Sequence, residues 1–431
     1  MPEIKPFRGW RYNKAVVRNL ARVVAPPYDV ISKEEQERFH KKSPYNIIRL
    51  ILGKDKKGDS SRNNKYARAR LFLKEWISKG VISREEAPAV YVYAQDYRQA
   101  GRSRTRLGFI AAMKIDERFI LRHENTLASP KRDRMALLKE VRTNLSPIFG
   151  LFEDKTGRIQ KILKETLKLK PCVNVSMDGV RHRVFVEDRP SQLGRISGLV
   201  QTKPMFIADG HHRFEVACQF RRWMRSRFRK EPGASWDYVM TYLSDYAHNP
   251  FEIFPTHRLL RIPKNMKEPL EVLRKGGRLV RVKSLSSVLG KLARNRMETK
   301  DRAYRFGVYL RNEGFFIFTL AKVRSSRTGK SPVDQLDVAV LHKTLIEPCF
   351  GIKKIEKSPD IDFTRDAGEA VRKVNAGEFD VAVFLRPTSL DEMLLVSRKG
   401  LKMPQKSTYF YPKLLSGLVF HKFDENGTRP L

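Results

Sequence analysis

The chain predicts an α/β (α+β) fold built around a mixed sheet. Three observations lead there. Strand-like apolar runs alternate with helix-period segments along the length. Several strand runs follow one another through short glycine turns, as antiparallel neighbours do. At "MFIADGHHRFEVA" a buried run passes without a linker into a helical pattern.

The elements follow in order. In "APPYDVIS" Pro26 and Pro27 impose an extended approach, and Ser32 is placed to cap a helix opening "KEEQERF". "SPYNIIRLIL" runs apolar and reads as a strand, and "GKDKKGDSSRNN" as a loop. From Lys65 to Lys79 the apolar residues share one helical face, which Gly80 ends. "AVYVYAQDY" and "RTRLGFIAAMKI" read as a hairpin joined by "RQAGRS". Pro130 sits in the first turn of the helix that follows, where its missing N–H costs nothing. A helix over "GRIQKILKETLKL" and a hairpin turning at Asp178-Gly179 precede the segment with the two histidines, whose helix runs to about Lys230.

Beyond it, "WDYVMTYLSDY" reads as a strand and "NPFEIFPTHRLLRI" as a loop. Residues 263 to 330 are basic and helix-rich, then form a hairpin turning at Asn312 to Gly314. The last hundred or so residues give helices at "QLDVAVLHKTLIEPCFG" and "DAGEAVRKVNAG", a buried strand "DVAVFLR", and a helix after Pro387. A length of 431 residues exceeds what one core usually serves, so two regions are expected: 1–262, and 263–431, which contributes "MPQKSTYFYPK".

Composition narrows the function. Hydrophobic content is 41%, no apolar run is long enough for a membrane span, and the N-terminus has no signal-peptide core, so a cytoplasmic protein with no membrane partner is expected. Cys172, Cys218 and Cys349 are scattered and lack metal-site spacing. Lys and Arg number 86 against 47 Asp and Glu, and the resulting +39 attracts nucleotides or nucleic acid. The charge peaks at "RRWMRSRFRK". No Walker A, G-x-G-x-x-G, H-E-x-x-H or G-x-S-x-G pattern occurs.

The chemistry concentrates at "DGHHR". Asp209-Gly210 falls at a strand-to-helix turn, where free backbone N–H groups and the helix dipole suit a phosphate and a glycine lets it approach. Gly210, His211, His212 and Arg213 are the predicted nucleotide-binding residues, with Arg213 supplying a bidentate fork. Asp209 is either the helix cap or, facing a phosphate, a magnesium ligand or general base. Three further clusters are candidate substrate or phosphate contacts: His123, Glu124 and Asn125 in "RHENTL"; Thr256, His257 and Arg258 in "FPTHRLL"; and Lys406, Ser407 and Thr408 in "MPQKSTYFYPK".

The blocks "APPYDVIS", "SPYNIIRL", "HENTLASPKRDRMALL", "TNLSPIFGLF", "ADGHHRFEVA", "FPTHRL" and "MPQKSTYFYPK", in this order over nearly the whole chain, resemble the family called domain of unknown function 1015. Within it the D-G-H-H-R turn is similar to the phosphate-binding turn of the ParB/sulfiredoxin superfamily, which includes sulfiredoxin, the ParB nucleotide switches and kinases acting on free serine. The resemblance implies a ParB/sulfiredoxin-like core with an additional C-terminal region. It also implies a nucleotide phosphate on Gly210, His211, His212 and Arg213. Sulfiredoxin activity is disfavoured, because His211 stands where a reactive cysteine would be needed. The expected function is phosphoryl transfer from ATP or ADP, with Mg2+, to the hydroxyl of a free amino acid such as L-serine. Asp209, Glu124 or Asp29 would be the base. The alternative is a ParB-like, nucleic-acid-associated nucleotide binder without kinase activity.

Overall fold

The computed structural model describes residues 2–99, 101–229, 233–263, 269–293, 303–320, 331–353, 355, 358–424 and 429–430. Ala100 of the first hairpin, Lys230 at the end of the basic stretch, and residues 264–268, 294–302 and 321–330 of the basic C-terminal region lie outside the described residues. The chain forms two units. The first comprises Met1–Arg122, Thr126–Phe251 and Pro412–Leu431, and the second comprises His123–Asn125 and Glu252–Tyr411. The change of unit thus falls at 251/252 rather than at 262, and "MPQKSTYFYPK" is shared out, with Pro412 and Lys413 in the first unit.

The first unit is built on a nine-stranded mixed sheet. Its strands are β1 (Ile4–Lys5), β2 (Val90–Gln99), β3 (Arg102–Lys114), β4 (Ile120–Leu121), β5 (Ile148–Phe152), β6 (Val173–Met177), β7 (Val180–Glu187), β8 (Met205–Asp209) and β9 (Tyr238–Asp245). They lie in the order β4-β8-β5-β9-β3-β2-β7-β6, and β1 also pairs with β3. The β4/β8 and β5/β9 pairs are parallel, whereas β8/β5, β9/β3, β3/β2, β2/β7 and β7/β6 are antiparallel. The β2–β3 hairpin pairs Gln99 with Arg102 and turns through Gly101 at φ +78°. At the β6–β7 turn Asp178 and Gly179 both have positive φ, as a tight hairpin of right-twisted strands requires.

The helices of this unit are α1 (Lys33–Lys42), α2 (Lys65–Ser78), α3 (Ala128–Val141), α4 (Arg158–Thr166), α5 (Pro190–Val200) and α6 (His211–Arg225), besides a short turn at Ile48–Ile51. Ser32 caps α1 with Glu35 in a reciprocal box. "SPYNIIRLIL" is helical rather than a strand at its centre. Buried Asn46 accepts from the N–H of Ile48 (2.9 Å) and donates to the carbonyl of Arg22 (2.7 Å), a side-chain turn that outweighs the β-branched apolar run. Helix α6 buries Phe214, Ala217 and Cys218 in the sheet core, and Val216, Phe220 and Met224 against Leu138, Trp236 and Phe423. It ends at Arg225, short of the expected position.

The second unit carries a six-stranded, wholly antiparallel sheet. Its strands are β10 (His257–Leu260), β11 (Arg278–Val282), β12 (Tyr304–Leu310), β13 (Gly314–Leu320), β14 (Ile361–Thr364) and β15 (Val381–Phe384), ordered β11-β13-β12-β15-β10-β14. "FPTHRLL" therefore becomes an internal strand rather than a loop. All four residues of β10 are buried, and pairing on both sides satisfies the backbone despite the polar His257 and Arg258. The helix at "DAGEAVRKVNAG" spans Ala367–Asn375 with Asp366 as its cap, and the one after Pro387 spans Leu390–Arg398 with a Ser389/Glu392 capping box. No helix among the described residues is long and apolar enough to cross a membrane.

Candidate functional site

Four buried apolar residues of β8 carry the chain to Asp209 at the rim of the sheet, where a register shift in the β8/β5 pair re-aims the strand end. Gly210 follows at φ +92° and is the N-cap of α6, which no side chain caps. Asp209 is thus not the cap. A side chain at Gly210 would be strained by this φ, and its Cβ would lie 3.1 Å from the Arg213 guanidinium. The first turn of α6 then reads His211, His212, Arg213, with no acid in it. That is the reverse of what the helix dipole favours at an N-terminus, where negative charge is stabilised.

The Asp209 carboxylate is held from two sides. Arg213 donates from Nη2 to Oδ2 at 2.7 Å, and Lys413 donates from Nζ to Oδ1 at 2.6 Å. Burial pushes this carboxyl up, but Lys413 and Arg213 outweigh burial and keep it well below the usual carboxylate range. With both oxygens taken by cations, the site does not fit a magnesium ion on Asp209, and so acidic a group is a weak proton acceptor. The geometry makes Asp209 a counter-ion to Arg213 and Lys413.

The cations are positioned by the fold. Arg213 also donates through Nη1 to the carbonyl of Pro147, just before β5. Lys413 is set by its backbone, whose carbonyl accepts from Nε2 of buried Gln95 at 2.9 Å. Fully buried Arg106 holds both the Gln95 amide oxygen and the Pro412 carbonyl. A cavity of about 60 Å3, room for a few waters, is lined by Arg213, Tyr28, Arg134, Ser146 and Asn144. The Arg134 guanidinium lies 4.0 Å from the centre of the Tyr28 ring. Burial, with Asp29 adding to it, raises the Tyr28 hydroxyl to about 12, so it is a neutral donor. Asp29 itself is exposed on the short turn Tyr28–Val30.

The two histidines differ. His211 is buried, whereas Nε2 of His212 accepts from the backbone N–H of Leu127, the N-cap of α3, at 3.0 Å. His212 therefore ties the start of α3 to the start of α6. Next along α6, Glu215 gathers Arg122 (3.0 Å), Thr126 (2.5 Å) and Lys131 (3.0 Å). Much of the basic stretch is occupied too. Arg225 pairs with Asp237 at 2.8 Å, Arg221 donates to the Ile115 carbonyl, and the Arg227 guanidinium lies 5.0 Å from the Trp223 ring centre.

The remaining predicted residues belong to the second unit. His123 is buried and its Nε2 lies 3.1 Å from Thr408 Oγ1. Glu124 bridges to Met403 as a parallel pair, and Asn125 is exposed. Thr256, Arg258 and Ser407 line one small polar cavity. Burial and the neighbouring Arg258 lower His257 to about 4, and its Nδ1 accepts from the N–H of Leu385 at 3.4 Å. Lys406 is exposed at φ +57°, and Ser407 Oγ donates to the Pro404 carbonyl at 2.5 Å. Lys413 belongs to the "MPQKSTYFYPK" cluster that the sequence offers as a candidate to complete the site, without a role of its own. Gln95, Arg106, Tyr28 and Arg134 were not predicted as site residues, and read in the sequence as ordinary strand, loop and helix residues.

The family profile described as "Protein of unknown function (DUF1015)" matches residues 4–339. A search of curated proteins finds no match. Among solved structures, a free serine kinase in complex with AMP is 13% identical, covering 70% of this chain and 86% of that one, at a TM-score of 0.35. SbnI with a C-terminal truncation, from Staphylococcus aureus, is 12% identical over 71% of this chain and 85% of that one, at 0.36. A conserved hypothetical protein from Pyrococcus furiosus is 12% identical over 75% and 94%, at 0.35. At these scores no residue role passes from those proteins to this chain.

Proposed function

The chain belongs to the DUF1015 family, and we propose that it is a nucleotide-dependent small-molecule kinase whose phosphate cradle is the N-terminus of α6. One observation carries the reading: a helix start that no side chain caps, on a left-handed glycine, with Arg213 and Lys413 gathered beside it on the Asp209 carboxylate. A helix N-terminus presents backbone N–H groups and a partial positive charge, and a polyanion there is stabilised by both together with the neighbouring cations. A nucleotide's terminal phosphates supply that charge in the form best matched to an arginine fork.

The reaction is in-line transfer. The hydroxyl oxygen of a small amino acid, free L-serine by the family's resemblance, bonds to the terminal phosphorus as the bond to the leaving phosphate of ATP or ADP breaks. Such a transition state needs positioning and charge stabilisation more than covalent help, and Arg213, Lys413 and the amides of residues 211–213 are suited to provide it. The acceptor's proton passes to a carboxylate. Asp209 is committed to its cations, and Asp29, beside the Tyr28 that lines the Arg213 cavity in the same unit, is the proposed acceptor. Incubating the full chain with labelled ATP or ADP, magnesium salts and a panel of hydroxy amino acids tests the reading. Labelled phosphoserine, or another phosphorylated acceptor, is expected. No product with any acceptor, combined with no nucleotide binding, would overturn it.

A further inference from the structure

Segments from both ends of the chain wall a second cavity of the first unit. Lys5 of β1 pairs with Ala112 of β3, Phe7 exchanges both backbone hydrogen bonds with Ala89 (3.0 and 3.1 Å), and His421–Lys422 pairs with Thr143–Asn144. These pairings fix the walls of a cavity of about 340 Å3 that lies wholly within the first unit and shares no lining residue with the one beside Arg213. Its size falls in the range of small-molecule sites, about 300–1,000 Å3. Buried Phe7, Ala112 and Tyr238 give it an apolar side.

The rest of the lining is rich in donors and poor in acceptors. Arg8 is anchored through Nε on the Glu85 carbonyl at 2.9 Å, and its two Nη atoms meet no acceptor among the described residues. The Lys422 ammonium has neither ion pair nor hydrogen bond among the described residues. The Ser235 hydroxyl accepts from the N–H of Asp424 at 3.0 Å, which leaves its own hydrogen to donate. The nearby acids are taken. Both oxygens of Asp424 accept from Arg84, at 3.1 and 3.2 Å, and Glu85 pairs with Arg11. Glu3 accepts from Lys114 at 2.7 Å and from Tyr238 at 2.5 Å, and lies 3.4 Å from Lys5. A concave wall carrying cations without counter-ions concentrates anions.

We infer that this cavity binds a small organic phosphate, with its head on Arg8, Lys422 and Ser235 and its apolar body against Phe7 and Tyr238. A phosphate ester has enough oxygens to meet an arginine fork, an ammonium and a hydroxyl at once. A bare anion would leave most of the volume and the apolar side unused. The site stands on its own geometry and does not rest on the phosphotransferase reading.

The test is calorimetric titration of the full chain, at pH 7 and fixed ionic strength, with phenyl phosphate, inorganic phosphate or benzoate. Phenyl phosphate binds saturably and at least tenfold more tightly than either of the others. Arg8→Gln and Lys422→Gln each remove one cation from a wall that backbone pairing holds, and each weakens phenyl phosphate at least tenfold. Lys413→Met leaves the phenyl phosphate affinity unchanged, separating this site from the cradle on α6. Absence of saturable binding in wild type, or equal affinity in wild type and both glutamine variants, would overturn the inference. So would inorganic phosphate or benzoate binding as tightly as phenyl phosphate, or a loss in Lys413→Met as large as in the glutamine variants.

Discussion

Replacing Asp209 by Asn removes the carboxylate shared by Arg213 and Lys413 and leaves two cations facing each other at a helix N-terminus. At about 2.7 Å and an effective dielectric of roughly 20, each contact carries about 6 kcal/mol of raw attraction, most of it spent on desolvation. Breaking a buried pair by deleting one partner costs about 3–5 kcal/mol. The side chains of Arg213, Lys413 and Asp209 keep 13%, 14% and 18% exposure, which places the loss near the lower end. A destabilisation of about 3 kcal/mol is therefore expected for Asp209→Asn in urea unfolding at pH 7, and added ATP should recover part of it. Lys413→Met in the same chain should reduce the penalty, because one of the stranded cations is gone. The reasoning fails if Asp209→Asn unfolds at the wild-type urea concentration, or if the double variant is as unstable as the two single losses added together.

Acid should act through the same group. The folded Asp209 carboxyl titrates below its unfolded value of about 4, so its contribution is complete above that value and is lost as pH falls through the folded one. Stability measured from pH 6 downward should fall more slowly in Asp209→Asn than in wild type. Gly210→Ala introduces a Cβ at positive φ against the Arg213 guanidinium, and should cost about 1–2 kcal/mol and weaken nucleotide binding at least tenfold by calorimetric titration. His212→Phe strips the Leu127 N–H of its acceptor and should lower stability by about 1 kcal/mol in thermal unfolding. Asp29→Asn should slow phosphoryl transfer by about 10²–10⁴-fold with nucleotide affinity unchanged. An unchanged rate would remove this carboxylate from the reaction.

What could be read in advance was local. Ser32 with Glu35 caps a helix, and Asp178-Gly179 turns a hairpin, because each depends on residues three apart or fewer. The strand-to-helix joint at Asp209-Gly210 was legible for the same reason, since β8 is apolar and α6 keeps helical spacing up to it. Asp209's work was not legible, because it is set by Lys413, which lies near the C-terminus and reaches the site through Gln95 and Arg106 of neighbouring strands. "SPYNIIRLIL" went astray because one buried asparagine bends the backbone that its aliphatic neighbours would extend. "FPTHRLL" went astray because a polar pair inside a sheet carries no periodic signal.

The central claim is that nucleotide phosphates rest on the start of α6. A crystal structure of the full chain grown with ATP or ADP tests it most directly. The account predicts terminal-phosphate density within about 3 Å of the backbone N–H groups of residues 211–213, in contact with Arg213 and Lys413. Nucleotide bound away from Gly210, with the Asp209 pairs unchanged and no phosphate at the helix end, would contradict it.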